Sequence, residues 1–212
     1  MSRMCGGRFN CCPCCFWIYY NLILCFILSI LIFWFIFFPQ EPKFTITNAT
    51  LTQFNFNSSN NTLEYNLALN ITIRNPNKRV GIYYRRIQVI GNYRKKRFAL
   101  VTLTSLPFYQ GHKNTTYLHQ VVVQGSQLVK FGKREVSQFN SETAAGVYSI
   151  NVQLALRIKA RYGKFKSQNY KPYDKIDCNL KVPLSFNETT PASGFETTRC
   201  GNVFFFSDPN AG

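Results

Sequence analysis

Residues 63–73, Leu-Glu-Tyr-Asn-Leu-Ala-Leu-Asn-Ile-Thr-Ile, put Leu63, Tyr65, Leu67, Leu69, Ile71 and Ile73 at every second position. Between them stand Glu64, Asn66, Ala68, Asn70 and Thr72. In an extended chain successive side chains point to opposite faces, so this stretch reads as a strand with one face on a core and the other in water. The same rule finds a longer strand from Tyr148 to Tyr162. There Tyr148, Ile150, Val152, Leu154, Leu156, Ile158, Ala160 and Tyr162 alternate with Ser149, Asn151, Gln153, Arg157, Lys159 and Arg161. A third strand carries Ile176, Cys178, Leu180, Val182 and Leu184 on its inward face.

Looser alternation marks further strands at Phe44–Phe56, Ile82–Tyr93, Phe98–Leu103 and Tyr117–Gln124. Helical periodicity is absent beyond residue 38, apart from a short turn expected around Ser126 to Phe131. About seven strands at short spacing predict an all-β domain, an antiparallel β-sandwich. Asn75-Pro76-Asn77 directly follows the strand that opened this reading and is expected to form a tight turn. Its proline presets φ and lacks the N–H that a ladder would need.

Upstream the pattern changes completely. Phe16 to Phe38 reads FWIYYNLILCFILSILIFWFIFF, with no charge and only Asn21 and Ser29 clearly polar. As a helix this run is roughly 34 Å long, enough to cross a hydrocarbon core of about 30 Å. In lipid only a helix satisfies the backbone within one segment. Trp17, Tyr19, Tyr20 and Trp34 are placed as interfacial aromatics. A cleaved signal peptide is the competing reading, but its apolar core is shorter and ends in small residues. Here the run ends in FFPQEPKF, where Pro39 and Pro42 stop the helix. The expected layout is a Cys-rich tail over residues 1–15, a transmembrane helix over 16–38, and a β-sandwich domain over 39–212.

The chain carries a formal net charge of +16. Arg3 and Arg8 precede the apolar run and all nine Asp+Glu follow it. The positive-inside rule therefore sets the short N-terminal tail in the cytoplasm, and long domains translocate largely regardless of their charge. Two features agree with this type II signal-anchor topology. Asn-x-Ser/Thr sequons stand at Asn48, Asn57, Asn60, Asn70, Asn114 and Asn187, all beyond the helix. Beyond it, too, the only cysteines are Cys178 and Cys200, a natural disulfide in an oxidising compartment. On the other side, Cys11, Cys12, Cys14 and Cys15 abut the bilayer, where palmitoylation is the leading expectation. An inert reduced cluster and a zinc site using the CxxC spacings are the rivals. The zinc reading lacks a second separated pair or a histidine.

Catalytic patterns are not found. His112 and His119 have no metal or general-base spacing, Asp174 and Asp177 stand beside Lys171 and Lys175, and GxSxG, Walker and GxGxxG motifs are missing. The expectation is a non-enzymatic protein without cofactor or metal. Arg94-Lys95-Lys96-Arg97 forms a basic cluster near Lys78-Arg79 and Arg85-Arg86. Nucleic acid is excluded as its partner by the topology. A solvated basic face and attraction to polyanions, such as acidic wall polysaccharides or anionic headgroups, both remain open.

Three segments carry a family likeness: RNPNKRVGIYYRRIQV (Arg74 to Val89), FYQGHKNTT (Phe108 to Thr116) and CNLKVPL (Cys178 to Leu184). With them the chain resembles the plant harpin-induced-like family, related to non-race-specific disease resistance proteins and carrying a late-embryogenesis-abundant group 2 domain. The resemblance implies a fibronectin-like sandwich, plasma-membrane residence and a part in pathogen and hypersensitive responses. It implies no enzymatic activity. Some relatives end in a lipid-anchor signal, but GNVFFFSDPNAG offers only three consecutive phenylalanines, far short of a tail of roughly 10–20 residues. Two roles follow. One is a membrane-tethered defence module that presents a basic sandwich to the wall or to defence-related membrane proteins. The other is a stabiliser of membrane or wall under water deficit, with no specific partner.

Overall fold

The computed structural model describes residues 13–37, 39–103, 107–166, 171–172, 175–185 and 194–201. The chain divides into two compact units, Met1–Phe38 and Pro39–Gly212. In the first, helix α1 spans Pro13–Phe37 and opens on a proline, whose missing N–H costs nothing at a helix start. Its segment Phe16–Phe35 is long and apolar enough to cross a membrane, and none of it is buried by the protein itself. The two polar side chains of the run bond back to their own helix: the Asn21 amide donates to the Trp17 carbonyl at 2.8 Å and the Ser29 hydroxyl to the Cys25 carbonyl at 2.7 Å. Both lose their need for water or a partner helix.

The second unit is a two-sheet antiparallel sandwich. Its long strands are β1 (Lys43–Asn57), β2 (Thr62–Arg74), β3 (Val80–Tyr93), β4 (Lys96–Leu103), β6 (Thr115–Leu128), β7 (Val147–Tyr162) and β10 (Ile176–Pro183). Short strands are β5 (Phe108–Gln110), β8 (Phe165–Lys166), β9 (Lys171–Pro172) and β11 (Thr198–Arg199). The smaller sheet runs β11-β1-β2-β6, and the larger runs β10-β7-β3-β4, with β5 added to β3 and β8 and β9 to β7. The alternation read from sequence is the one that is buried: Leu63 through Ile73 and Tyr148 through Ile158 line facing interior rows. All seven long strands overlap those expected from the sequence.

One end of the interior is aromatic. The Phe54 ring sits 4.9 Å from that of Tyr148, 5.3 Å from Tyr93 and 5.5 Å from Phe98. Helix α2 (Lys133–Ala145) closes this end, burying Phe139 against Phe54, Phe56 and Tyr148. The sequence reading did not expect α2, and it assigned a short turn to Ser126–Phe131, where β6 in fact continues to Leu128. The helix buries only Phe139 along its length, too narrow a stripe for a 3.6-residue period to register. Its ends are well made. The Glu135 carboxylate accepts from the Gly132 N–H at 2.6 Å, and Gly146, at φ 68°, caps the last turn by donating to Thr143.

A disulfide joins Cys178 of β10 to Cys200, just past β11, and both cysteines are buried. It crosses from the larger sheet to the smaller. Flanking backbone bonds, Cys200 N–H to the Phe44 carbonyl and Gly201 N–H to the Asp177 carbonyl, hold the same junction.

Candidate interaction surface

Strands β3 and β4 meet in a two-residue turn, Arg94-Lys95, with Tyr93 paired to Lys96. Both turn residues are left-handed, at φ 49° and 64°. That matches the twist of a hairpin, but the position favours Asn-Gly, and a side chain there costs about 1–2 kcal/mol per residue. Arg94 has a visible reason to be there: its guanidinium reaches the Glu142 carboxylate of α2 at 2.6 Å. The other Glu142 oxygen accepts from the Tyr93 hydroxyl at 2.7 Å. Burial, and then the neighbouring Glu142, push the Tyr93 phenol far above its ordinary pKa. Lys96 bonds to Glu135 at 2.7 Å and to the Lys130 carbonyl. Its ammonium bond, followed by the Gly132 N–H, holds the Glu135 carboxyl below the usual carboxylate range.

The quartet Arg94–Arg97 is therefore not one basic patch. Arg94 and Lys96 fasten α2 to the hairpin. Lys95 and Arg97 have no ion pair or hydrogen bond among the described residues, and they face a groove. That groove, about 790 Å³, lies on the outer face of the larger sheet and is lined by Lys95, Arg97 and Lys175 together with Asn92, Asn151 and Asn179. Register explains the row. Arg97 pairs with Asn92, Asn92 with Asn151, and Asn151 with Asn179, so four neighbouring strands each contribute one outward side chain. Asn92 donates to the Asn151 carbonyl oxygen at 3.3 Å and Asn151 to that of Asn179 at 2.7 Å. In the next row Gln153 donates to Asp177 at 2.8 Å. Sequence reading missed this ladder. The signal was present in the polar positions of each strand, but only pairing shows that they align.

Asn75-Pro76-Asn77 also differs from expectation. It is no hairpin turn: it carries the chain from β2 in one sheet to β3 in the other. Both asparagines are interior, 0% and 4% exposed. The Asn75 amide donates to the carbonyls of Val80 (2.8 Å) and Gly111 (3.0 Å), while its oxygen accepts from the backbone N–H and side-chain amide of Asn77. Asn77 in turn grips Gln40, accepting from its N–H and donating to its carbonyl, each at 2.6 Å. Buried Gln110 completes the network, donating to the Ile73 carbonyl and accepting from the Tyr84 hydroxyl.

Five of the six sequon asparagines are described. Asn57 is exposed at the end of β1, and Asn60 and Asn114 are exposed in loops, whereas Asn48 and Asn70 oppose each other on β1 and β2 with partial exposure. The Asn57 and Asn60 side-chain oxygens accept from the backbone N–H two residues on. Asn187, Cys11 and Cys12 lie outside the described residues, and of Cys14 and Cys15 only the helical backbone is described. His112 is exposed between β5 and β6, and His119 is exposed on β6, its ring 5.9 Å from Tyr117. Asp177 serves the Gln153 bond, and Asp174 lies outside the described residues.

An N-terminal apolar helix followed by an antiparallel two-sheet sandwich with a cross-sheet disulfide defines the class. Residues 70–175 match the model of the late embryogenesis abundant protein family. NDR1/HIN1-like protein 10 of Arabidopsis thaliana is 44% identical over 85% of this chain and 78% of its own length. NDR1/HIN1-like protein 3 of the same plant is 44% identical over 82% and 72%. The solution structure of AT1g01470 from Arabidopsis thaliana covers 72% of this chain and 88% of its own at 14% identity and a TM-score of 0.42, too loose a likeness to argue from. The chain belongs to the NDR1/HIN1-like family and carries its late embryogenesis abundant domain.

Proposed function

We propose that this chain is a non-enzymatic plasma-membrane protein of plant defence and the hypersensitive response. The N-terminal tail (1–15) is cytoplasmic, the helix over 16–38 is a type II anchor, and the domain over 39–212 stands outside the cell. There it presents a basic sandwich to acidic wall polysaccharide or to partner membrane proteins. Cys11, Cys12, Cys14 and Cys15 are the acylation sites of the tail. Asn48, Asn57, Asn60, Asn70, Asn114 and Asn187 are the glycan acceptors of the domain. The relatives' names and families, which are not known as enzymes, support the class of function.

The observation that carries the placement is the buried Cys178–Cys200 bridge, because disulfides persist in oxidising compartments and are rare in the cytosol. Glycosidase treatment of protein from intact cells, combined with protease protection, tests it. A mobility shift and a domain open to external protease are expected. An unshifted, protected domain overturns the topology. The second reading, a stress-protective stabiliser of membrane or wall, is favoured by the late embryogenesis abundant match itself. It requires no specific ligand, which separates it from the first.

A further inference from the structure

The outer face of the larger sheet combines three features that the fold does not need. First, Lys95, Arg97 and Lys175 surround the groove without an ion pair or hydrogen bond among the described residues, against the single carboxylate of Asp177. Second, an amide ladder crosses β3, β7 and β10. Each side-chain amide offers two N–H donors and two acceptor lone pairs, and the ladder bonds of Asn92, Asn151 and Asn179 use only part of that capacity. Third, Lys95 is held left-handed at φ 64° in a turn where glycine would be strain-free, and its side chain lines the groove. Arg94, its neighbour in the turn, is accounted for by Glu142.

A fourth observation concerns what could cover the face. The five described sequon asparagines all lie on β1, on β2, in the turn between them, or between β5 and β6. None is on β3, β4, β7 or β10. Glycans at these five positions would therefore clothe the smaller sheet and its loops and leave the larger sheet's outer face clear of them.

The chemistry of the face selects its occupant. Three unpaired cations against one carboxylate call for a ligand with several negative charges. Amides with spare donors and acceptors between those cations call for hydroxyls beside the charges. The row spans four strands, about 14 Å across, and opens to solvent, which suits a chain laid over it better than a small enclosed anion. Ile90 is the only apolar side chain in the lining, so stacking on an aromatic platform is not the mode.

We propose that this groove binds an extended polyuronate chain. Lys95, Arg97 and Lys175 pair with successive carboxylates, and Asn92, Asn151 and Asn179 hydrogen-bond the sugar hydroxyls between them. The proposal rests on the reading that the domain lies outside the cell, where it names the ligand and the face.

The test uses full-length protein in detergent micelles and immobilised polygalacturonate. Retention is expected at low salt and falls steeply as salt rises. Replacing two groove cations, Arg97→Gln with Lys175→Gln, weakens binding about tenfold. Replacing two exposed cations of α2, Lys133→Gln with Arg134→Gln, removes the same charge and changes binding less than about twofold. Lys95→Gly weakens binding while leaving the melting temperature unchanged or higher, since glycine relieves the turn. Equal losses from the groove and α2 pairs would overturn the proposal in favour of a general basic coat. So would absent retention, or binding to phosphatidylglycerol vesicles without binding to polygalacturonate. Any of these results leaves the topology standing. A cytosolic domain in the protection experiment instead removes the exterior reading, with retention on polygalacturonate intact.

Discussion

The two ends of the sandwich are built on different principles. At the end where β2 crosses to β3, three buried amides (Asn75, Asn77 and Gln110) bond to the backbones of the crossover, the β5–β6 turn and Gln40. At the other end, rings of Phe54, Tyr93, Phe98, Phe139 and Tyr148 pack edge to face or tilted, and two ion pairs hold α2 at the rim. Hydrogen bonds are directional, and a buried polar group left without its partner costs about 1–3 kcal/mol. Ring packing has no such obligation, so a smaller apolar side chain loses contacts but strands nothing. The amide end should therefore be brittle and the aromatic end tolerant.

The sharpest way to break that contrast is a shape-matched change at the amide end. Asn75→Leu keeps the branching and the number of heavy atoms but deprives the Val80 and Gly111 carbonyls and Asn77 of their partner. We expect a loss of about 4 kcal/mol, read as a fall in chemical-denaturation midpoint at unchanged slope. A loss under about 1 kcal/mol would show that water replaces the amide.

Removing the cross-sheet bridge with Cys178→Ser and Cys200→Ser should cost about 3 kcal/mol, the loop-closure entropy of some 22 residues, measured in the same way. Phe54→Leu, at the centre of the aromatic end, is expected to cost only about 1.5 kcal/mol. If Phe54→Leu proves worse than Asn75→Leu, the comparison is reversed.

The smallest effect concerns the rim of the aromatic end and has a defined sign. Glu135 has its carboxyl pKa lowered in the folded state by Lys96 and the Gly132 N–H. Its stabilising contribution is complete above the ordinary carboxylate range and disappears as pH falls through the lowered folded value. Wild type should thus be slightly more stable than Glu135→Gln near neutral pH, with the gap closing in acid. Thermal melts of both proteins across that range measure it, and a gap that widens in acid would contradict the pairing.

Periodicity carried the sequence reading a long way, and its failures share one cause. Strands β2, β7 and β10 alternate strictly enough to be read residue by residue, because one face of each is dry, while the looser β1, β3, β4 and β6 were read only as segments. Helix α2 was not legible: Phe139 is its one buried side chain, and Glu135 and Glu142 bind Lys96 and Arg94, 39 and 48 residues away in the chain. The four basic residues 94–97 looked like one patch because neighbours in sequence share a charge. The hairpin turn sends two of them to α2 and leaves Lys95 and Arg97 at the groove.

Asn75-Pro76-Asn77 shows the same limit from the polar side. Its composition says turn, and it does lead the chain out of a strand. That its asparagines are interior depends on Gln40, Val80 and Gly111 arriving around them. Residues 16–38 and the alternating strands were enough to read an apolar helix and a β-sandwich, since hydropathy and period are properties of neighbours along the chain. The groove, the amide junction and the division of the basic quartet belong to the folded protein alone. Each is made by side chains that strand register and the cross-sheet junction bring together from distant segments.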